Sequence, residues 1–132
     1  AALTAASPVL QDVVVAGHDR DFVALLAWLS IGGSRAFLGN EGIDLEDAAQ
    51  SAELREHLLQ TLSAYNQVNP GSSTRIARLL VLTAPPAIDA NEITDKGYIN
   101  QRAVLEARSG DVERLYAAFP DADVLQLQAR KT

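Results

Sequence analysis

Two kinds of hydrophobic pattern alternate along this chain: short unbroken apolar runs, and stretches in which apolar residues recur every three or four positions. In DVVVAGHD, residues 12–19, Val13, Val14 and Val15 run into a glycine, which predicts a short buried strand. FVALLAWLSI, residues 22–31, is a second such run; with Asp19, Arg20 and Asp21 as a turn, the two predict a strand hairpin. The glycines of GGSRAFLGNEG, residues 32–42, predict a loop. From Asp44 the period changes. Leu45, Ala48, Ala49, Ala52, Leu58, Leu59 and Leu62 fall on one face of a helix reaching about Tyr65. A break near Ser51 is expected, because Ser51 with Glu53 and Leu54 can cap a second segment. NPGSS, residues 69–73, ends that helix, and RIARLLVLTA, residues 75–84, predicts a third buried strand stopped by Pro85 and Pro86. AIDANEITDKG, residues 87–97, reads as loop. Asn100 suits the cap of a final helix with apolar positions Ala103, Val104, Leu105, Val112, Leu115, Tyr116 and Phe119. Ser109-Gly110-Asp111 kinks or restarts it, Pro120 closes it, and a polar tail follows.

The order strand, strand, helix, strand, helix predicts a small α+β domain. It should hold a mostly antiparallel sheet of about three strands with helices packed on it. A length of 132 residues suits one domain with a real core. The net charge of −6 excludes a broad nucleic-acid surface, which needs a basic stripe, but leaves room for a nucleotide held by a few N–H groups and one cation. No apolar run is long enough to span a bilayer. Cysteine is absent, which removes disulfides and cysteine metal sites, and the cytosol is the simplest compartment. Methionine is absent too, so a processed N-terminus or a piece of a longer protein is expected. AALTAASPVL reads as the last turns of a helix whose beginning is missing.

Three stretches offer chemistry. In EITDKGYINQR, residues 92–102, Lys96 is one of two lysines in the chain and lies beside Gly97. A compact ammonium on a flexible stem can reach an anion, and glycine opens backbone conformations closed to other residues. The competing reading is a solvated lysine in an ordinary turn. GHDRD, residues 17–21, sets His18 beside Asp19 and near Asp21. The other histidine, His57, has no matching ligand spacing, so a polar turn is the better reading and no metal site is expected. NPGSSTR, residues 69–75, lacks a lysine at P-loop spacing and leads into a strand, so it too reads as a turn. No serine shows a nucleophile elbow, and Trp28 in its apolar run reads as core.

Two stretches carry a family resemblance. SPVLQDVVVAGHDRD, residues 7–21, resembles the segment that follows the interdomain hinge in AMP-forming acyl-CoA synthetases. APPAIDANEITDKGYINQRAVL, residues 84–105, resembles the terminal motif of that superfamily, nearest its bacterial feruloyl-CoA synthase branch. The resemblance spans residues 5–119. It implies that residues 1–132 are a single C-terminal domain fragment, with the hinge and the large N-terminal ATP- and acyl-binding domain outside the chain. It further implies ATP and coenzyme A as co-substrates, Mg2+ in the full-length enzyme, a small carboxylic acid such as ferulate, another aromatic acid or a fatty acid as substrate, and no activity for the fragment alone; the rival reading is a stand-alone interaction domain that keeps the fold without the chemistry. The small domain of such ligases rotates between adenylate formation and thioester formation, and presents a lysine to the forming adenylate. The usual motif places glycine just before that lysine. Here Gly97 keeps the glycine's position and follows Lys96, while Tyr98 stands in the lysine's place. Lys96 is the candidate catalytic residue because an anion calls for a cation, with Tyr98 the alternative. Arg102 is expected to point into or along the helix. Gly97 and Gly17 match the family's glycines near the cofactor, Gly17 more as a structural position than as a coenzyme A contact.

Overall fold

A computed structural model describes residues 3–4, 7–17, 20–69, 71 and 75–127 of the chain. The elements run β1 (Leu10–Ala16), β2 (Val23–Leu29), α1 (Ile31–Leu38), α2 (Leu45–Gln50), α3 (Ala52–Val68), β3 (Ile76–Leu82), α4 (Gln101–Ala107), α5 (Ser109–Leu115) and β4 (Val124–Gln126). The sheet has four strands in the order β1-β2-β3-β4. β1 pairs antiparallel with β2, β2 parallel with β3, and β3 antiparallel with β4. The parallel step needs a long crossover, and α1 to α3 supply it.

Helices cover both faces of the sheet. Leu25, Ala27 and Leu29 of β2 join Leu54, Leu58 and Leu62 of α3 in one core cluster. Ala24, Leu26 and Trp28 of the same strand join Val104 of α4 and Leu115 of α5 in the other. Burial on both faces explains why β2 is apolar without alternation. Leu54, Leu58 and Leu62 are almost fully buried, which stabilises the fold by roughly 1.5–3 kcal/mol per side chain. Ser51 ends α2 and caps α3, its hydroxyl accepting from the Leu54 N–H. Asn100 caps α4, and the chain restarts at Ser109 as α5. Among the described residues no helix is long and apolar enough to cross a membrane. Leu3 and Thr4 are helical; the rest of the expected first helix, residues 1–2 and 5–6, lies outside the described residues.

Three expectations need correction. The sheet holds four strands, because the expected polar tail contains β4, aligned on β3 at Arg78–Gln126, Leu79–Leu125 and Leu80–Val124. Three residues are too few to show a period, and only the open edge of β3 makes them a strand. The expected loop 32–42 begins instead as α1. Ser30 caps it by accepting from the Gly33 N–H, and Gly39 ends it in the left-handed conformation at φ 63°. Gly33 serves close packing: a Cβ there would fall 1.8 Å from the Pro8 carbonyl oxygen. Finally, the last helix stops at Leu115, before the expected Pro120, and Phe119 is 95% exposed. Arg78 donates to the carbonyls of Leu115 and Ala117, and so takes the groups that another helical turn would have used.

Candidate functional site

Beyond β3 the chain leaves the sheet and forms a projection that returns at α4. Its tip is a small hairpin. Ile93 pairs with Ile99, the Thr94 N–H donates to the Tyr98 carbonyl at 2.8 Å, and the Gly97 N–H donates to the Thr94 carbonyl at 2.9 Å. The Tyr98 N–H also donates to the Thr94 Oγ1 at 3.1 Å. Gly97 has φ 86°. This is a tight turn closed by a left-handed bulge residue, a position that favours glycine strongly. Turn geometry therefore explains why the glycine follows Lys96.

Lys96 lies at the turn and is exposed. Among the described residues its ammonium has no ion-pair or hydrogen-bond partner. Tyr98, on the returning strand, is 71% exposed. Arg102 lies along α4 as expected, 3.4 Å from Glu106, with its side chain in solvent. It is not drawn toward the hairpin tip. Beside the projection, an open groove of about 610 Å3 runs along α4, bounded by Asn91, Asn100, Arg102 and Glu106.

The base of the hairpin is as buried as its tip is exposed. The Asn100 N–H donates to the Glu92 carbonyl at 2.9 Å, and the Asn100 Oδ1 accepts from the Ala103 N–H at the start of α4. The Glu92 side chain lies inside the fold, 1% exposed for the whole residue. Its Oε2 accepts from Arg108 Nε at 2.8 Å, and its Oε1 from Arg108 Nη2 at 3.1 Å and the Ala87 N–H at 2.8 Å. Hydrogen bonding from Arg108 holds the Glu92 carboxyl below the usual glutamate range; burial opposes this, and the Ala87 N–H assists. The same hydrogen bond raises Arg108, against its own burial. Arg108 Nη2 also donates to the Pro85 carbonyl at 3.0 Å. The guanidinium carbon lies 5.3 Å from the centre of the Trp28 ring, and Trp28 Nε1 donates to the Ala84 carbonyl at 2.8 Å.

Nothing in the sequence distinguishes Glu92 from the other acids of its loop. The one available hint is that Glu92 and Arg108 flank the hairpin on opposite sides, at the ends of a segment that must fold back on itself.

Gly17 lies at the end of β1, where an added Cβ would sit 3.4 Å from Val23 Cγ2. Its strand and the hairpin share one side of the domain. Gln101, the first residue of α4, donates to the Val13 carbonyl and accepts from the Val15 N–H, along the open edge of β1. His18 and Asp19 lie outside the described residues, as do Pro70 and residues 72–74 of the turn at 69–75. His57 belongs to α3, on the far face of the sheet; its Nε2 is 2.8 Å from the Ser7 hydroxyl and its ring stacks on Phe37. Among the described residues no three His, Cys, Asp or Glu side chains are grouped to hold a metal.

Comparison with solved structures and families places the fold. The A-PCP didomain of a carboxylic acid reductase from Segniliparus rugosus, solved with AMP, matches 87% of the chain at 17% identity and TM-score 0.56, over 15% of its own length. The adenylation domain of a carboxylate reductase from Mycobacterium chelonae matches 86% at 19% identity and TM-score 0.58, over 17% of its length. The A domain of the Segniliparus rugosus reductase, with AMP and a co-purified carboxylic acid, matches 87% at 18% identity and TM-score 0.59, also over 17% of its length. The chain therefore spans about one sixth of each of these structures, and likeness at this identity concerns the fold. No curated protein matches the chain. Residues 1–120 match the family described as AMP-binding enzyme C-terminal domain. With that match over nearly the whole α+β unit and its projecting hairpin, the chain belongs to the AMP-binding enzyme C-terminal domain family.

Proposed function

We propose that the chain is the mobile C-terminal domain of an ATP-dependent, AMP-forming acid–thiol ligase that makes the coenzyme A thioester of a hydroxycinnamate such as ferulate. In this reading the ATP- and acyl-binding domain precedes it in the same polypeptide, and Lys96 serves the first half-reaction. A carboxylate oxygen attacks the α-phosphorus of ATP; the new P–O bond forms as the bond to pyrophosphate breaks. Negative charge builds on the phosphoryl oxygens, and an ammonium brought to them in a water-poor site stabilises it. In the second step the thiol sulfur attacks the acyl carbonyl, the C–O bond to AMP breaks, and the thiol proton passes to solvent. Hinged domain movement allows one small domain to serve both steps. Mg2+ would accompany the ATP phosphates, which this reading places in the preceding domain.

The observation that carries this reading is the Lys96 ammonium, exposed and unpaired among the described residues, on a hairpin whose base is locked into the core. Tyr98 offers a hydroxyl hydrogen bond but no positive charge at neutral pH. The hydroxycinnamate assignment rests on the likeness of residues 84–105 to the feruloyl-CoA synthase motif. A ligase for another aromatic or a fatty acid would use the same hairpin.

The test is Lys96→Ala in the full-length enzyme, with the half-reactions measured separately. Pyrophosphate exchange should fall by about 10²–10³-fold, the usual loss for one charge-stabilising donor. Thioester formation from preformed acyl-adenylate should stay within about threefold of wild type. If only the second step slows, or neither does, the assignment fails. Tyr98→Phe under the same assays decides between the two positions.

A further inference from the structure

The projection between β3 and α4 is exposed at nearly every residue, with Glu92 its one fully buried side chain. A buried ion pair is a poor device for stability alone, since apolar residues of similar volume often pack as well. Its distinctive property is direction. A guanidinium bound by two parallel hydrogen bonds fixes the angle of the carboxylate as well as its distance. Here that carboxylate belongs to the residue from which the hairpin springs.

The other contacts converge on the same point. The stretch entering the hairpin is tied at Ala84 by Trp28, at Pro85 by Arg108 and at Ala87 by Glu92, through both its carboxylate and its backbone N–H. The far leg of the hairpin is tied to the Glu92 carbonyl and to the N-terminus of α4 through Asn100. Arg108 lies at the junction of α4 and α5. The pair thus joins the hairpin to the helices beneath it and to Trp28 on the central strand.

We propose that Glu92 and Arg108, the latter with its guanidinium over Trp28, are positioning residues that hold hairpin 93–99 at a fixed angle to the sheet and so aim its exposed tip. This rests on the reading of that tip as catalytic. A hairpin attached only by its two chain ends would swing about them. The fork on Glu92 restricts that swing, and a displacement of about 1 Å at a reacting group can cost as much as 100-fold in rate.

The test uses the full-length enzyme carrying Arg108→Lys, which keeps the charge and loses the fork, and Arg108→Met. Hydrogen exchange at the Thr94, Gly97 and Tyr98 amides should accelerate at least about tenfold in Arg108→Lys, while the β2 amides keep their wild-type protection. The turnover of adenylate formation should fall by about 10- to 100-fold, with KM for ATP and acid within about twofold. Because the pair acts through the hairpin, Lys96→Ala combined with Arg108→Lys should be no slower than Lys96→Ala alone. Unchanged hairpin exchange, equal acceleration in β2, or losses that multiply in the double variant would each overturn the proposal. Should Arg108→Met fail to fold, Arg108→Lys decides. Should Lys96→Ala leave adenylate formation intact, the catalytic reading falls, and hairpin exchange alone then decides whether the pair positions the loop.

Discussion

Arg108→Met would remove one half of a pair whose other half is sealed inside the protein. The Glu92 side chain is 2% exposed and that of Arg108 14%. The variant deletes two hydrogen bonds to the carboxylate and one to the Pro85 carbonyl, leaving Glu92 with the Ala87 N–H. Breaking such a pair typically destabilises by about 3–5 kcal/mol. The protein can limit the electrostatic part by protonating Glu92, which at pH 7 costs about 3.7 kcal/mol relative to an ordinary glutamate. In the wild type the folded pKa is lowered, so the pair's contribution is present above the ordinary glutamate range and lost as pH falls through the lower folded value. In the variant burial dominates, the folded pKa rises above the unfolded one, and the penalty grows with pH above about 4.3. The stability gap between the two proteins should therefore be at least about 1 kcal/mol smaller at pH 5 than at pH 7. Urea unfolding of the 132-residue chain can be followed by its single tryptophan, Trp28. A loss of 3 kcal/mol moves the midpoint by about 2 M. Glu92→Gln combined with Arg108→Met should recover to within about 1.5 kcal/mol of wild type and lose the pH dependence. A gap under about 1 kcal/mol at pH 7, or one equal at pH 5 and pH 7, would refute the argument, because it would mean the carboxylate is solvated.

Two further substitutions probe the glycines. Gly33→Ala should destabilise by about 2–3 kcal/mol, because the new methyl must displace the Pro8 carbonyl; Gly32→Ala in the same helix meets no atom within 4 Å and should be neutral or stabilising by up to about 1 kcal/mol in urea unfolding. Gly97→Ala forces a Cβ into the left-handed region at φ 86°, which should weaken the hairpin by about 1–2 kcal/mol; faster amide exchange at residues 94–98 with an unchanged global urea midpoint is the expected signature, and a full shift of the midpoint would contradict it.

Much of the architecture could be read from neighbours along the chain. β1, β2, β3, the broken helix at Ser51, the cap at Asn100 and the restart at Ser109 all follow from periods and caps, which depend on residues within a few positions of one another. The hairpin residues Lys96, Gly97 and Tyr98 stood out for the same reason: a turn is a local event. What escaped was every feature whose cause lies far away in sequence. α1 carries a glycine at 33 because the Pro8 backbone, 25 residues earlier, packs against it. β4 is a strand because β3 offers it an edge. Glu92 is buried against Arg108, 16 residues later in the chain, whose guanidinium lies over Trp28 from 80 residues earlier than Arg108 itself. Charge and hydropathy describe a residue's preference for water; whether that preference is granted or overruled depends on which distant groups the fold brings against it.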